Sequence, residues 1–81
     1  NNYPNPFNPE TVIRYQIPVN SKVTLGIYDI LGREVARLVD KEQEAGKHEV
    51  RFNGSRFSSG VYIYRIITPD YTLSKKLILV K

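Results

Sequence analysis

The segment from Ser59 to Ile67 constrains the fold of this chain more than any other part of the sequence. It is rich in β-branched and aromatic residues, begins with a Ser-Gly turn pair and is followed by Thr68-Pro69-Asp70, which is the pattern of a β-strand. Its alternating positions are largely apolar on both faces, so we expect a central strand that is covered on both sides or shielded by loops on one. One face carries Tyr62, Tyr64 and Ile66, and the other face carries Val61, Ile63, Arg65 and Ile67.

Five further segments show the two-residue alternation of strands. These segments are 11–17, 23–28, 34–39, 47–52 and 71–80. Their expected inward side chains are Ile13, Tyr15, Ile17, Val23, Leu25, Ile27, His48, Val50, Phe52, Leu73, Leu77 and Leu79. The alternation is blurred in 34–39, which indicates a β-bulge or an edge position. Six such strands without a helical 3.6-residue pattern predict an all-β, antiparallel sandwich.

The connections between these strands carry turn residues. Asp29 to Arg33 predicts a tight reversal in which Gly32 has a positive φ. Residues 40–46 form a charged run that ends in a glycine, and we expect a loop there. Phe57 lies in the connection to the central strand, and we expect its ring to be tucked into the end of the sandwich.

The length of 81 residues favours one domain with a thin core. Residues 1–10 contain three prolines, which excludes a helix or an interior strand and predicts an extended lead-in from an upstream part of a longer polypeptide. Tyr3 and Phe7 would be apolar pegs of a linker that docks on the sandwich edge, or alternatively part of an aromatic-proline motif for a partner. Residues 11–81 then form the sandwich.

Charge and cysteine content narrow the possible functions. The net charge is +4 with the cations spread along the chain, which does not favour nucleic-acid binding. There are no cysteines, so the fold uses no disulfide and no thiolate metal site. No apolar run approaches the length of a membrane helix.

The titratable residues do not form a catalytic pattern. The single histidine, His48, is expected at an inward strand position and is interpreted as a packing residue rather than a metal ligand or proton carrier. Asp40, Glu42 and Glu44 could suggest a calcium loop, but Lys41 interrupts them and the sharp-turn glycine and bidentate glutamate are missing from the required positions. We therefore predict no enzyme activity, no cofactor and no metal site.

The six tyrosines permit a second interpretation. Exposed aromatic rings in a small β domain can line a carbohydrate-binding platform. Tyr62 and Tyr64 share a face that is expected to be core, whereas Tyr28 and Tyr71 are candidates for exposure. A structural or carbohydrate-binding accessory module of a secreted enzyme is therefore the alternative function.

Five ordered motifs resemble one family over essentially the whole chain. The motifs are Tyr3 to Pro9 followed by Thr11 to Pro18, then Val23 to Val39 with the run Tyr28 to Val35, then Ala45 to Val50, then Ser59 to Arg65, and finally Lys75 to Lys81. Together they are similar to the C-terminal sorting domain of type IX secretion cargo in the Bacteroidetes group. The immunoglobulin-like domain of the flagellar hook-capping protein shares much of the same pattern.

The resemblance implies an immunoglobulin-like sandwich of six to seven strands at the C-terminus of a secreted enzyme or adhesin. Such a domain directs the upstream cargo through the periplasm and across the outer membrane, to the cell surface or the extracellular space. The implied partners are the outer-membrane translocon, a sortase-like peptidase that cuts near or before Asn1, and the cargo domain in the same polypeptide. A monomer that neither binds nucleic acid nor inserts into a membrane is expected.

The resemblance also implies where the sorting information lies. In the family the final strands carry much of it, which points here to translocon recognition by Lys75, Lys76, Leu77, Leu79 and Lys81. A terminal strand can offer its backbone to a receptor by strand addition. The lysines can steer docking towards an acidic surface.

Overall fold

The computed structural model describes residues 10–80 and contains six β-strands and no helix in that range. The strands are β1 (Glu10–Ile17), β2 (Ser21–Tyr28), β3 (Glu34–Gln43), β4 (Gly46–Asn53), β5 (Gly60–Ile67) and β6 (Thr72–Leu79). The proline-rich lead-in predicted for residues 1–10 lies outside the described residues except for Glu10, which already belongs to β1. No helix in the described part of the chain is long and apolar enough to cross a membrane.

The strands form two antiparallel sheets. β1 pairs with β4, and the larger sheet has the order β3-β2-β5-β6. β5 therefore lies between β2 and β6, with Ile63 opposite both Tyr28 and Lys76. The predicted antiparallel, immunoglobulin-like sandwich and the interior position of the central strand are confirmed.

The core lies between the two sheets and is built from one face of every strand. Val23, Leu25 and Ile27 of β2 are completely buried, as their alternation predicts. The other buried apolar residues are Ile13, Tyr15, Ile17, Val39, Phe52, Tyr62, Ile66, Leu77 and Leu79. Leu73, which is expected to face inward, is exposed because it lies at the start of β6, at one end of the sandwich. Phe57 packs against this cluster from the β4–β5 connection, with its ring 5.7 Å from that of Phe52 and 6.3 Å from that of Tyr62. The prediction that Phe57 closes one end of the sandwich is confirmed.

The outer face of β5 differs from the expectation. Val61 and Ile67 are exposed, and Ile63 is half-buried. Cover on this face is therefore incomplete, because the second sheet packs on the opposite face and the loops do not extend over both ends of β5. The larger sheet thus presents apolar side chains to solvent.

β3 is longer than the sequence predicts. Residues 40–43 continue the strand and pair with 21–24 of β2, so the expected charged loop over 40–46 is wrong for 40–43, and only 44–45 connect β3 to β4. Lys22 Nζ lies 3.3 Å from Asp40 Oδ1 across the pair, and charged side chains are typical of an edge strand that faces water. The predicted irregularity is confirmed by register shifts between Leu25 and Gly26 and between Ile27 and Tyr28.

A carboxylate organises the β2–β3 hairpin. Oδ1 of Asp29 accepts hydrogen bonds from the backbone N–H groups of Leu31 and Arg33 at 2.9 and 3.0 Å, and Oδ2 accepts one from Arg33 Nε at 2.8 Å. Gly32 has a φ of 86°, as predicted, and its N–H donates to the carbonyl of Asp29. The turn is therefore fixed by its own side chain, and it holds Ile30 and Leu31 in solvent.

Candidate recognition edge

β6 is the strand that carries most of the predicted site residues, and it lies at the edge of the larger sheet. Among residues 10–80 it pairs only with β5, so alternate backbone N–H and C=O groups along its other side have no strand partner. Such an edge can add a strand from another chain. The structure thus supplies the backbone feature that strand addition requires.

The start of β6 is fixed by two sets of contacts. Thr68 Oγ1 accepts hydrogen bonds from the backbone N–H groups of Asp70 and Tyr71, which shapes the β5–β6 turn. The hydroxyl of Tyr71 donates to the carbonyl of Gln16 in β1 at 3.1 Å. This second contact joins the two sheets. It therefore anchors the chain at the start of β6, on the N-terminal side of Lys75 and Lys76.

Lys75 and Lys76 are exposed and project from opposite faces of β6. Lys75 is opposite Tyr64 and Lys76 is opposite Ile63 in β5. No ion pair within the described part of the chain includes either lysine, whereas Arg14 pairs with Glu49, and Arg37 with Glu34 and Asp40. The two lysines therefore give the edge a positive charge that no carboxylate of residues 10–80 neutralises in an ion pair.

Leu77 and Leu79 have a different environment from the lysines. Both are buried in the core, and Leu79 packs against the backbone of Gly54, where a Cβ would lie only 2.5 Å from Leu79 Cδ1. Their side chains hold β6 on the sandwich and are not available at its surface. Lys81, the fifth predicted recognition residue, lies outside the described residues.

Two titratable side chains away from this edge, His48 and Tyr15, are engaged in local contacts. His48 is half-buried, stacks on Tyr15 at 5.5 Å, and its Nε2 lies 2.7 Å from the carbonyl oxygen of Glu44. Burial raises the pKa of the Tyr15 hydroxyl, which donates to Gln43 Oε1 at 2.6 Å. No group of three or more histidine, cysteine or acidic side chains that could hold a metal ion occurs in residues 10–80.

Two carboxyl groups have lowered pKa values for structural reasons. The pKa of Asp29 is held below its usual value mainly by the backbone hydrogen bond from Arg33. The pKa of Asp40 is lowered mainly by the hydrogen bond from Lys22, with Arg37 adding to the effect. Both groups stabilise edges and turns of the larger sheet, and neither faces an enclosed cavity.

Three tyrosines of the described residues have ring faces that are buried or covered by other side chains. Tyr15 and Tyr62 are buried, and the hydroxyl of Tyr62 donates to the carbonyl of Ser58. The guanidinium of Arg65 covers the ring of Tyr28 at 4.7 Å from its centroid. These contacts use the aromatic faces that a carbohydrate would need, so they do not favour the carbohydrate-binding alternative.

One surface feature was not predicted from the sequence. Exposed apolar side chains are concentrated at the end of the larger sheet where β5 begins and β6 ends. Ile78 and Val80 could have indicated this surface, because they occupy the alternating positions of the last segment that face solvent. Polar residues are expected at such positions.

Comparison with known proteins gives one match. A family model described as a secretion system C-terminal sorting domain matches residues 1–81. No curated protein and no solved structure matches the chain. The matched range covers the whole sequence, including the β-sandwich and its terminal edge strand.

Proposed function

The chain belongs to the family of secretion system C-terminal sorting domains, and on that premise we propose that its folded sandwich is the form that the translocon recognises. The family match supports a sorting role in type IX secretion, and it implies export across the outer membrane to the cell surface or the extracellular space. A domain of this kind is not catalytic in itself. Its chemistry is that of a binding surface.

The proposed contact is strand addition to the edge of β6 that no strand of residues 10–80 pairs with, steered by Lys75 and Lys76. The observation that carries this proposal is the combination of an edge strand with two exposed lysines that have no ion-pair partner among residues 10–80. A strand edge without a partner can form backbone hydrogen bonds with an added strand whatever the sequence of that strand. The side chains along the edge then provide specificity. The partner is an outer-membrane translocon component with an acidic surface beside an open strand.

Leu77 and Leu79 have an indirect role in this proposal. They fix the register and position of β6 by packing in the core, so that the lysines are presented at a defined place. A sortase-like peptidase that acts upstream of the sandwich and a cargo domain in the same polypeptide complete the proposed set of partners.

The burial of Leu77 and Leu79 determines how the proposal must be tested. Deleting residues 77–81 would remove two core side chains, and a loss of export would then report unfolding as well as lost recognition. A charge reversal of exposed residues avoids this problem, because surface substitutions usually change stability by about 0.5 kcal/mol or less.

The experiment fuses the chain to the C-terminus of a soluble reporter that carries an export signal, in a type IX-competent host. We expect Lys75→Glu/Lys76→Glu to lower the amount of surface reporter about tenfold, because each change places like charges at the interface. Lys41→Glu/Lys47→Glu makes the same charge change at exposed positions of β3 and β4 and should not lower it. Equal loss from both pairs would show that only the net charge matters.

A further inference from the structure

We propose that the translocon also binds an apolar surface at one end of the larger sheet, which we call the apolar pole. It consists of Ile30, Leu31, Val61, Ile78 and Val80. This inference rests on the proposed function and identifies a second part of the docking surface. The occupant would be a translocon protein surface that is apolar at its centre and has carboxylates at its rim.

The geometry brings these residues to one end of the sheet. Val61 and Ile78 are directly opposite each other on β5 and β6, on the face away from the core, and opposite residues in a sheet have their Cβ atoms about 5 Å apart. Val80 is two residues after Ile78 and is also exposed. The β2–β3 turn follows Tyr28, which is opposite Ile63, so Ile30 and Leu31 lie at the same end.

The exposure of these side chains is high. Ile30 is 76% exposed, Leu31 74%, Val80 68%, Ile78 62% and Val61 42%. They account for five of the eight exposed large hydrophobic residues between Glu10 and Val80. Single exposed apolar residues are normal on protein surfaces, but a concentration of them at one end of a sheet is typical of an interaction site.

The turn that carries Ile30 and Leu31 is held in one shape. Asp29 accepts two backbone hydrogen bonds and one from Arg33 within the turn. A flexible turn would lose conformational entropy when it docks, whereas a turn that is already ordered loses less. This internal bonding therefore favours a surface that presents the two side chains to a partner.

Charge next to the pole indicates the chemistry of the occupant. Lys76 is on the same outer face, opposite Ile63, and has no ion pair among the described residues. Arg33 at the turn is already paired with Asp29. An apolar surface beside an uncompensated lysine fits a partner with carboxylates at its rim, and the pole is continuous with the β6 edge of the proposed function.

The test uses two double variants and matched controls in the reporter fusion. Ile30→Ser/Leu31→Ser changes residues that lie outside every strand, and Val61→Thr/Ile78→Thr keeps β-branched residues in β5 and β6. Val19→Ser and Leu73→Thr are the controls, since both residues are exposed apolar positions at the other end of the sandwich. Circular dichroism and the thermal midpoint of the purified chain verify that each variant is folded.

We expect each pole variant to lower the surface reporter about tenfold or more, because two apolar side chains lose their buried contacts with the partner, while the controls export like the unchanged chain. Binding of the purified chain to purified translocon should weaken by the same factor. If the unchanged chain and both pole variants are exported equally, the apolar pole is not a docking surface and the sorting proposal stands. If the unchanged chain itself does not direct export, both proposals fail.

A lipid surface is the competing occupant. Co-sedimentation with vesicles of phosphatidylethanolamine and phosphatidylglycerol distinguishes it. If the pole binds lipid, the unchanged chain should sediment with the vesicles and the pole variants should remain in the supernatant. That result would overturn the assignment to the translocon. Binding to purified translocon without vesicle binding supports it.

Discussion

The carboxylate of Asp29 closes its turn by holding Arg33 at two points, the backbone N–H at 3.0 Å and Nε at 2.8 Å. The same carboxylate also accepts the N–H of Leu31. The motif Tyr28-Asp29-Ile30-Leu31-Gly32-Arg33 is therefore a self-contained hairpin turn. Its acid, glycine and arginine form the turn, and its two apolar residues are left to solvent.

The turn should make stability depend on pH. The folded-state pKa of Asp29 is lowered, so its charged form stabilises the fold at pH values above the pKa of an unfolded aspartate, about 3.9. This contribution should be lost as the pH falls from about 4 through the lower folded-state pKa. The urea midpoints of unfolding should be measured from neutral to acidic pH for the unchanged chain and for Asp29→Asn. The midpoint of the unchanged chain should be higher by a constant amount near neutrality, and this difference should shrink in acid.

A matched variant separates this effect from that of Asp40. The pKa of Asp40 is lowered as well, so Asp40→Asn should remove a second contribution over the same acidic range. The two contributions should add, because Asp29 and Asp40 have no common hydrogen-bond partner among the described contacts. An unchanged difference between Asp29→Asn and the original chain down to about pH 2 would contradict the lowered pKa.

Gly32 is required for its backbone conformation rather than for space. Its φ is 86°, and a Cβ at this position would meet nothing within 4 Å. Gly32→Ala should therefore lower the free energy of unfolding by about 1 kcal/mol through backbone strain alone. Gly32→Asn should cost less, since asparagine tolerates this region better. Denaturant titration of the three chains measures the order, and equal stability of all three would contradict the positive φ.

Gly54 is required for the opposite reason. A Cβ there would lie 2.5 and 2.8 Å from the two Cδ atoms of Leu79, which is buried and has little room to move. Gly54→Ala should cost about 1–3 kcal/mol of stability by overpacking. In a double-mutant cycle, Leu79→Ala should make room for the added methyl group, so the two losses should sum to more than the loss in the double variant. Strict additivity would show that the two residues are not in contact.

These two glycines illustrate which parts of the fold the sequence could predict. Gly32 follows from turn chemistry over five residues, and the inward faces of β1 and β2 follow from alternation, because both depend on local periodicity. The contact between Gly54 and Leu79 joins residues far apart in the chain, so no local pattern indicates it. Of the two residues, only Gly32 has the positive φ that its turn motif predicts.

The errors in the sequence prediction have similar causes. Residues 40–43 appear loop-like because they are charged, but at an edge strand such charges face water and pair across the ladder, as Lys22 and Asp40 do. The apolar outer face of β5 suggested cover by other elements, whereas Val61 remains exposed. Alternation gives the two faces of a strand, but it does not show which face another layer will cover.

The residues of the predicted recognition site divide into two classes that a mutational experiment can separate. Lys75 and Lys76 are at the surface, whereas Leu77 and Leu79 are in the core. Truncation of either leucine to alanine should cost about 2–5 kcal/mol of unfolding free energy, which is a large part of the stability of a domain this small. Export of the reporter should then fall with the folded fraction of the domain.

Leu79→Met provides the control that keeps the volume of the side chain. A volume-conserving substitution in a core usually costs less than about 1.5 kcal/mol, so this variant should stay folded and be exported like the unchanged chain. Export is measured as surface reporter, and the folded fraction is measured by denaturant titration of the purified domain. If Leu79→Met is fully folded but fails to be exported, the translocon reads the leucine side chain itself, which requires β6 to detach from the sandwich during recognition. If export follows stability across Leu77→Ala, Leu79→Ala and Leu79→Met, the leucines act only by holding the edge strand in place.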